Sequence, residues 1–439
     1  MRLVLIWGNA IIKMMVRKTQ TLKGFRDFLP EEMAIRQKVI KTLEKVFASY
    51  GYEPLETPSL EYAETLLGKY GEEADKMVYT FKDQGKRDVG LIYDLTVPAS
   101  KILALYSQKI TLPFKRYQIQ RIWRAEKPQK GRYREVLQCD VDSFGTTSPL
   151  ADAEIIAIIY QCLQKLNFKK FSIRINSRQV LFKLMKDLGV TQEKEQLSIF
   201  RTLDKLEKVK IDVVKKELRT KDLSQQKIDK LFSLIKSAQP DENLKQLFNY
   251  LKSFGLEKKY YQFDPTLVRG LDYYTGPIFE TYVEEPRIGS ITGGGRYDKL
   301  VVDLGGPDIP ATGTTIGLDR ICDVIKEKNL MPELSPTPTK ILVTIFSPEC
   351  LEKSMEIANQ LRKANINTEL YLDPEVKLDK QLKYADRKNI SYVVILGPEE
   401  IKKKVTTLRD MKAKSQKQFT LRKLLEKMTS SSAKKKRGL

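Results

Sequence analysis

Histidine is absent from all 439 positions of the chain. Without imidazole there is no His-based general acid–base catalysis, no Ser-His-Asp triad and no route to most zinc sites. Cysteine is scarce. Cys139, Cys162, Cys322 and Cys350 are widely separated and form no C-x-x-C pair. They argue against a zinc cluster or a disulfide framework and fit a reducing, cytoplasmic setting. Long apolar runs are missing too. Residues 3–7 are apolar but too short for a membrane span, Asn9, Lys13 and Arg17 interrupt the residues after them, and no small-residue cleavage site appears. Residues 1–17 therefore read as a disordered or misassigned extension, with Met14 and Met15 offering later starts.

The chain is rich in positive charge. Lysine and arginine outnumber aspartate and glutamate 78 to 56, a formal +22. Such an excess favours a polyanionic partner through long-range attraction and counterion release. A solubility surface would give the same number, so charge alone does not choose. The length accommodates two or three domains.

Periodicity organises the chain. Ile35, Val39, Leu43, Val46 and Phe47 share one face of a helix over 31–50. The stretch 52–58, stiffened by Pro54 and Pro58, reads as extended and suited to a sheet edge or subunit contact. Residues 112–145 read as a hairpin. Arg116, Gln118, Gln120 and Arg124 fall on one face of the first strand, and Arg134, Gln138, Asp140 and Asp142 on one face of the return strand, with 126–132 as the loop. A solvated face is the default for such a hairpin. The mixture of arginine, carboxylate and glutamine looks more like the wall of a site. Residues 178–258 are rich in Lys, Glu and Leu, with Leu203, Leu206 and Val213 at helical spacing, and read as a helical insertion. Lys205, Lys208, Lys215 and Lys216 belong to solvated faces there. Two glycine-rich segments, 293–298 and 311–320, match neither a P-loop nor a dinucleotide fingerprint. Small residues on a strand admit a flat ring or a phosphate, and tight strand–helix packing would also use them. After a Ser335–Pro338 linker, a β-α-β-α-β pattern (341–346, a helix from 351, 370–372, 378–387, 392–396) implies a small parallel or mixed sheet covered by helices. The run from Ser430 reads as a disordered basic tail.

The stretch Leu267-Val268-Arg269-Gly270-Leu271-Asp272-Tyr273-Tyr274-Thr275-Gly276-Pro277 carries the most information. It fits neither strand alternation nor a surface loop. Arginine suits a carboxylate or phosphate, and tyrosine offers a ring and one hydroxyl that donates or accepts. Together they suggest a small polar ligand with an anionic end.

With these residues in hand, the chain resembles the histidyl-tRNA synthetase family, class II aminoacyl-tRNA synthetases, from residue 21 to residue 428. Gly24-Phe25-Arg26-Asp27-Phe28-Leu29-Pro30 is similar to the family's opening. Residues 52–58, 114–145 and 311–320 resemble the three class II motifs, which identify the superfamily. The Arg269-Gly270-Leu271-Asp272-Tyr273-Tyr274 run and 293–298 look specific to the histidine enzyme. The resemblance implies an α+β fold: a class II antiparallel sheet flanked by helices (18–177 and 259–334), a helical insertion (178–258) and a C-terminal α/β anticodon-binding domain (339–428), followed by a basic tail (429–439).

It also implies a two-step histidine–tRNA ligase. Histidine and ATP give histidyl-adenylate and pyrophosphate, and the histidyl group then passes to the 3′ end of tRNA-His. A carboxylate is already a nucleophile at neutral pH, so the first step asks for positioning and charge stabilisation rather than a general base. By position, Arg124 and Arg269 are the implied catalytic residues. Arg124, Arg132 and Arg320 bind ATP. Asp94, Thr96, Gln138, Asp142, Arg269, Tyr273 and Tyr274 bind histidine, with Asp142 and Tyr274 on the imidazole. Lys127 and Gln129 meet the tRNA acceptor end. ATP enters as substrate with Mg2+, no side chain is assigned to a metal, and a cytoplasmic homodimer is expected. Ile92-Tyr93-Asp94-Leu95-Thr96 and Asp142 depart from the bacterial pattern, which has Arg-Pro-Glu-Gly-Thr and Glu, whereas the loop 126–132 keeps the bacterial form.

Three alternatives compete. A non-catalytic paralogue, such as a regulatory subunit of ATP phosphoribosyltransferase, generally lacks the anticodon-binding domain and the catalytic arginines. Glycyl, prolyl and threonyl enzymes lack the 269–274 run. A pure RNA-binding module has no use for Arg124, Arg269 and Arg320 in separate glycine-bearing contexts.

Overall fold

The computed structural model describes residues 19–69, 75–129, 131–207, 209–221, 223–269 and 273–437, with backbone alone beyond 430. By contact the chain divides into two units, residues 1–27 with 38–331 and residues 28–37 with 332–439. Of the N-terminal extension only the paired strands Ile6–Trp7 and Ala10–Ile11 are described. Gly270, Leu271, Asp272 and Lys208 lie outside the described residues.

Helix α1 is Pro30–Ser49. Val39, Leu43, Val46 and Phe47 are buried at helical spacing, while Ile35 is half-buried. The first unit holds α1 from Lys38 on, and its elements then include, in chain order, β1 (Glu53–Pro54), α2 (Thr96–Tyr106), β2 (Phe114–Trp123), β3 (Glu135–Phe144), α3 (Pro149–Lys165) and β4 (Phe171–Ser177). The helices α4 (Arg178–Asp187), α5 (Glu193–Leu203), α6 (Ile211–Arg219), α7 (Gln225–Ser237) and α8 (Glu242–Ser253) come next. The unit ends with β5 (Tyr261–Phe263), β6 (Pro277–Val283), β7 (Thr292–Arg296), β8 (Ala311–Gly317) and α9 (Leu318–Glu327).

The strands form one eight-stranded sheet in the order β5-β4-β6-β7-β8-β3-β2-β1. From β4 to β2 every pair is antiparallel, as expected. Both margins depart from that pattern, because β5 runs parallel to β4 and β1 parallel to β2. Pro54 fits the outer strand, where a missing backbone N–H breaks no ladder.

The hairpin β2–β3 is in register from Phe114 opposite Phe144 to Trp123 opposite Glu135. Arg134 corrects the sequence reading. It precedes the return strand, its Nε donates to the carbonyl of Glu126 (3.1 Å), and its backbone N–H donates to Gly24 (2.8 Å). Gly24 has φ +91°, and a Cβ there would stand 2.9 Å from Arg134 and Pro128, so the opening motif closes tightly on the hairpin loop. Among the insertion helices Leu203 is buried as expected, but Val213 is exposed. Val214 and Leu218 fill the core of α6 instead.

In the second unit, β9 (Ile341–Val343), α10 (Leu351–Lys363), β10 (Thr368–Leu370), α11 (Leu378–Arg387), β11 (Tyr392–Ile395), β12 (Thr406–Asp410), β13 (Ser415–Phe419) and α12 (Leu421–Arg437) alternate. The sheet order is β10-β9-β11-β12-β13, with the first three strands parallel and the last two antiparallel. Helices α10 and α12 cover one face through Leu361, Leu424 and Met428, and α11 covers the other through Ala385. Leu372, read as strand, lies beyond the end of β10 and is 89% exposed. The backbone of the basic tail continues α12 as helix to Arg437.

Candidate active site

Partners across a ladder share a face, and residues two apart on a strand share it as well. One row of the large sheet runs Ile278, Gly295, Gly313, Asp142 and Arg116 across β6, β7, β8, β3 and β2. The next row on that face runs Glu280, Gly293, Thr315, Asp140 and Gln118. Glycine therefore bares the middle of the floor. A Cβ on Gly293 would overlap Nη1 of Arg269, one on Gly313 would overlap Asp142, and one on Gly295 would stand 2.9 Å from the ring of Tyr274. The space opened by these glycines is taken by Arg269, Asp142 and Tyr274, three side chains singled out from sequence.

Over this floor opens a cavity of about 320 Å³. Asp94, Thr96, Arg124, Arg132, Gln138, Arg269, Tyr273, Tyr274 and Arg320 line it, all of them singled out from sequence. Asp142 lies behind the lining, and Lys127 and Gln129 stay on the hairpin loop, both exposed. Gln129 exchanges backbone hydrogen bonds with Arg132 (3.0 and 2.8 Å) and borders a neighbouring cavity of about 1030 Å³ that also reaches Arg269 and Arg320.

Four guanidiniums face the smaller cavity. Arg124 lies over the Tyr93 ring (4.6 Å) and donates to the carbonyl of Tyr93 and to Oε1 of Gln138, both at 3.1 Å. Arg320, in the first turn of α9, donates to the carbonyls of Gly131 (3.1 Å) and Ser290 (2.5 Å). Burial, then the like charges of Arg132 and Arg124, pulls the Arg320 guanidinium below its usual range. A guanidinium depressed by burial and like charge makes a site that gains by taking up an anion.

Arg269 sits in the left-handed region at φ +58°, uncommon for a residue with a side chain. Its Nη1 is 2.5 Å from Oε1 of Glu280, and its Nη2 donates to the Tyr274 hydroxyl at 3.2 Å. Burial opposes its charge, but Tyr274 and Glu280 more than offset that, and its pKa is raised. The Tyr282 hydroxyl donates to the other oxygen of Glu280. Beside this group, Asp94 accepts from the N–H of Val97 (3.1 Å) at the start of α2, where Thr96 is the first residue. Burial raises the phenol of Tyr273, whose side chain bonds to Thr96.

The polar face of the hairpin is interior rather than solvated: Arg116, Gln118, Gln138, Asp140 and Asp142 are all buried. Asp142 has Oδ2 2.7 Å from Nη2 of Arg116, and Oδ1 accepts from the Tyr297 hydroxyl at 2.5 Å. Burial raises its pKa, against the pull of Arg116 and Tyr297. Asp140 accepts from Gln138 (3.2 Å), and burial together with the Asp142 charge pushes it up to about 8, against Arg116.

Sequence reasoning gave no role to Arg116, Tyr297, Glu280 or Arg26. Strand parity placed Arg116 on the right face but could not name its partner. Arg26, from the opening motif, stacks on Tyr133 (3.4 Å) and pairs with Asp319 (3.1 Å), two residues of the cavity wall. Among the described residues no three acidic, cysteine or histidine side chains cluster to hold a metal, and no helix is long and apolar enough to cross a membrane.

Chemically, the site offers fixed positive charge, an ionisable carboxylate held by a guanidinium, and phenols with directed hydroxyls. It can bind an anion and a ring side by side and stabilise negative charge developing between them.

The comparisons agree with this geometry. The family model described as histidyl-tRNA synthetase matches residues 24–321, and one described as an anticodon binding domain matches residues 340–431. A histidine–tRNA ligase of Gloeobacter violaceus is 37% identical, covering 91% of this chain and 96% of that protein. One of Cytophaga hutchinsonii is 35% identical over 94% of this chain and all of that protein. The crystal structure of histidyl-tRNA synthetase from Nostoc sp. PCC 7120 superposes with TM-score 0.81 at 27% identity, covering 94% of this chain and 99% of that one. A glycine-floored, arginine-ringed cavity on a class II sheet and relatives alike over nearly their whole length lead to one conclusion: the chain belongs to the histidyl-tRNA synthetase family.

Proposed function

We propose that the chain is a histidine–tRNA ligase that activates histidine with ATP and transfers the histidyl group to the 3′ end of tRNA-His. The observation that carries this reading is the convergence of Arg124, Arg132, Arg269 and Arg320 on one cavity whose other wall holds Asp94, Thr96, Gln138 and Tyr274. Arg269 holds the histidine carboxylate and the α-phosphate together. Arg124 takes the α-phosphate, Arg132 the outer phosphates and Arg320 the far end of ATP. Asp94, Thr96 and Gln138 bind the amino group, Tyr274 and Asp142 read the imidazole, and Tyr273 supports the geometry through Thr96. A site free of histidine suits this chemistry, because the attacking carboxylate needs no base.

Mg2+ is proposed to arrive on the outer phosphates of ATP. An ion that keeps several waters and is bound through substrate phosphates asks for no protein cage. Lys127 and Gln129, exposed on the hairpin loop, are proposed to meet the acceptor end of the tRNA. Residues 18–177 with 259–334, 178–258 and 339–428 are read as catalytic, insertion and anticodon-binding domains. A cytoplasmic homodimer completes the proposal, supported by four cysteines held as thiols and by exposed Leu60 and Tyr62, which come just after the first class II motif in the chain.

Histidine-dependent exchange of pyrophosphate into ATP tests the reading. Exchange is expected. Binding of tRNA-His without exchange would favour a non-catalytic paralogue instead.

A further inference from the structure

We propose that Arg116 is a positioning residue for ring specificity: it commits Asp142 to the role of acceptor, so that the pocket demands a ring N–H. The inference rests on the reading that Asp142 and Tyr274 face the imidazole.

Arg116 is fully buried, with 0% of its surface exposed, on the strand next to Asp142 and in the same cross-strand row. A guanidinium can only donate. Its Nη2 meets Asp142 Oδ2 at 2.7 Å, and the Tyr297 hydroxyl gives its proton to the other oxygen. Both neighbours of the carboxylate are thus donors. Tyr297 takes one of its roughly four lone-pair positions, Oδ2 is held by the ion pair and accepts no hydrogen bond among the described residues, and the remaining capacity is for accepting. Without the cation, a carboxyl this buried would take up a proton and could donate instead, reading a bare ring nitrogen as readily as an N–H.

Arg116 does more than neutralise. Nη2 also donates to the carbonyl of Leu95 (3.2 Å), the residue between Asp94 and Thr96. One guanidinium therefore ties the proposed amino-group wall to the proposed ring-reading carboxylate. Nη1 donates to Gln118 (3.1 Å), which donates in turn to Thr57 (2.9 Å), so the fork is held from behind. Asp140, two residues from Asp142 on the same face, could compete for the same cation. Asp140 instead accepts from Gln138 (3.2 Å), while the ion pair of Arg116 runs to Asp142, and burial with the Asp142 charge raises the pKa of Asp140 in keeping with that division. An apolar side chain would fill this position at lower desolvation cost. The buried charge therefore calls for a use, and fixing the polarity of Asp142 supplies one.

The test compares the KM for histidine with the inhibition constant of thiazolylalanine, whose ring keeps an acceptor nitrogen but has no N–H, both in pyrophosphate exchange. In Arg116→Met the KM for histidine is expected to rise by about two orders of magnitude. The inhibition constant of thiazolylalanine should change little, so their ratio collapses. Arg116→Lys, which keeps charge but not the fork, should restore part of the ratio, and it carries the test alone if Arg116→Met does not fold. Both constants rising together would make the arginine merely structural and overturn the proposal. Asp142→Asn checks the underlying reading separately. Unchanged preference for histidine in that variant sinks the ring assignment itself, whereas lost preference there with an intact ratio in the Arg116 variants sinks only the role given to Arg116.

Discussion

Nη2 of Arg269 donates to the hydroxyl of Tyr274 at 3.2 Å. Because the guanidinium has no lone pair to offer, the phenol accepts in this bond and its own proton is left for a ligand. On the proposed reading, Tyr274 donates that proton to a bare ring nitrogen of the substrate. Tyr274→Phe should raise the KM for histidine about tenfold to a hundredfold and leave the KM for ATP unchanged. Equal rises in both would make the tyrosine part of the frame.

Arg269 itself stands where the carboxylate and the α-phosphate meet in the proposed mechanism. Arg269→Ala should lower pyrophosphate exchange by about a thousandfold, the scale of removing a donor aimed at developing charge. Affinity for tRNA-His, measured by filter binding, should stay nearly intact. Loss of both would mark the residue as structural.

The floor beneath that arginine is equally testable. A methyl group on Gly293 would occupy the space of Nη1 of Arg269, so Gly293→Ala must push the guanidinium aside. A displacement of about an ångström at a reacting centre costs on the order of a hundredfold in kcat/KM. That loss is expected at an unchanged melting temperature, and a normal rate would show that Arg269 does not work from this position.

Arg320 is depressed by its burial and by its arginine neighbours, a tension that an incoming anion relieves. Arg320→Ala should raise the KM for ATP by about tenfold to a hundredfold and spare the KM for histidine. A histidine effect of equal size would argue that the arginine shapes the whole cavity.

Asp140 gives a pH signature. Its pKa, pushed up to about 8, lies above that of an unfolded carboxyl, so the native state keeps a proton that the unfolded chain releases. The groups facing it are Asp142, Arg116, Asp94, Thr315 and Gln138. Its stabilising contribution is full below the ordinary carboxylate range and is lost as pH rises through about 8. Asp140→Asn cannot ionise. Its melting temperature should gain on the wild type from about pH 5 to about pH 8.5, and parallel curves would refute the assignment.

Much of this was legible in the sequence. The glycines at 293, 295 and 313, the paired tyrosines and the scattered arginines declared themselves because each breaks a pattern that strands or loops would keep. Strand parity even placed Arg116, Asp140 and Asp142 on one face. What parity cannot give is the register of that hairpin or the strands beyond it, and so the pairing of Arg116 with Asp142, the reach of Tyr297 and the grip of Glu280 on Arg269 needed the fold. The parallel margins of the sheet escaped for the same reason, since direction is a property of pairs. The hairpin β12–β13 escaped because TTLRD and SQKQF carry no apolar alternation, and α12 ran past Ser430 where composition alone suggested a tail.

A chain with no histidine has a spectroscopic consequence. In a complex with isotope-labelled substrate, every imidazole resonance belongs to the ligand. The charge state and tautomer of the bound ring can therefore be read directly by nitrogen NMR, free of background, in the intact protein.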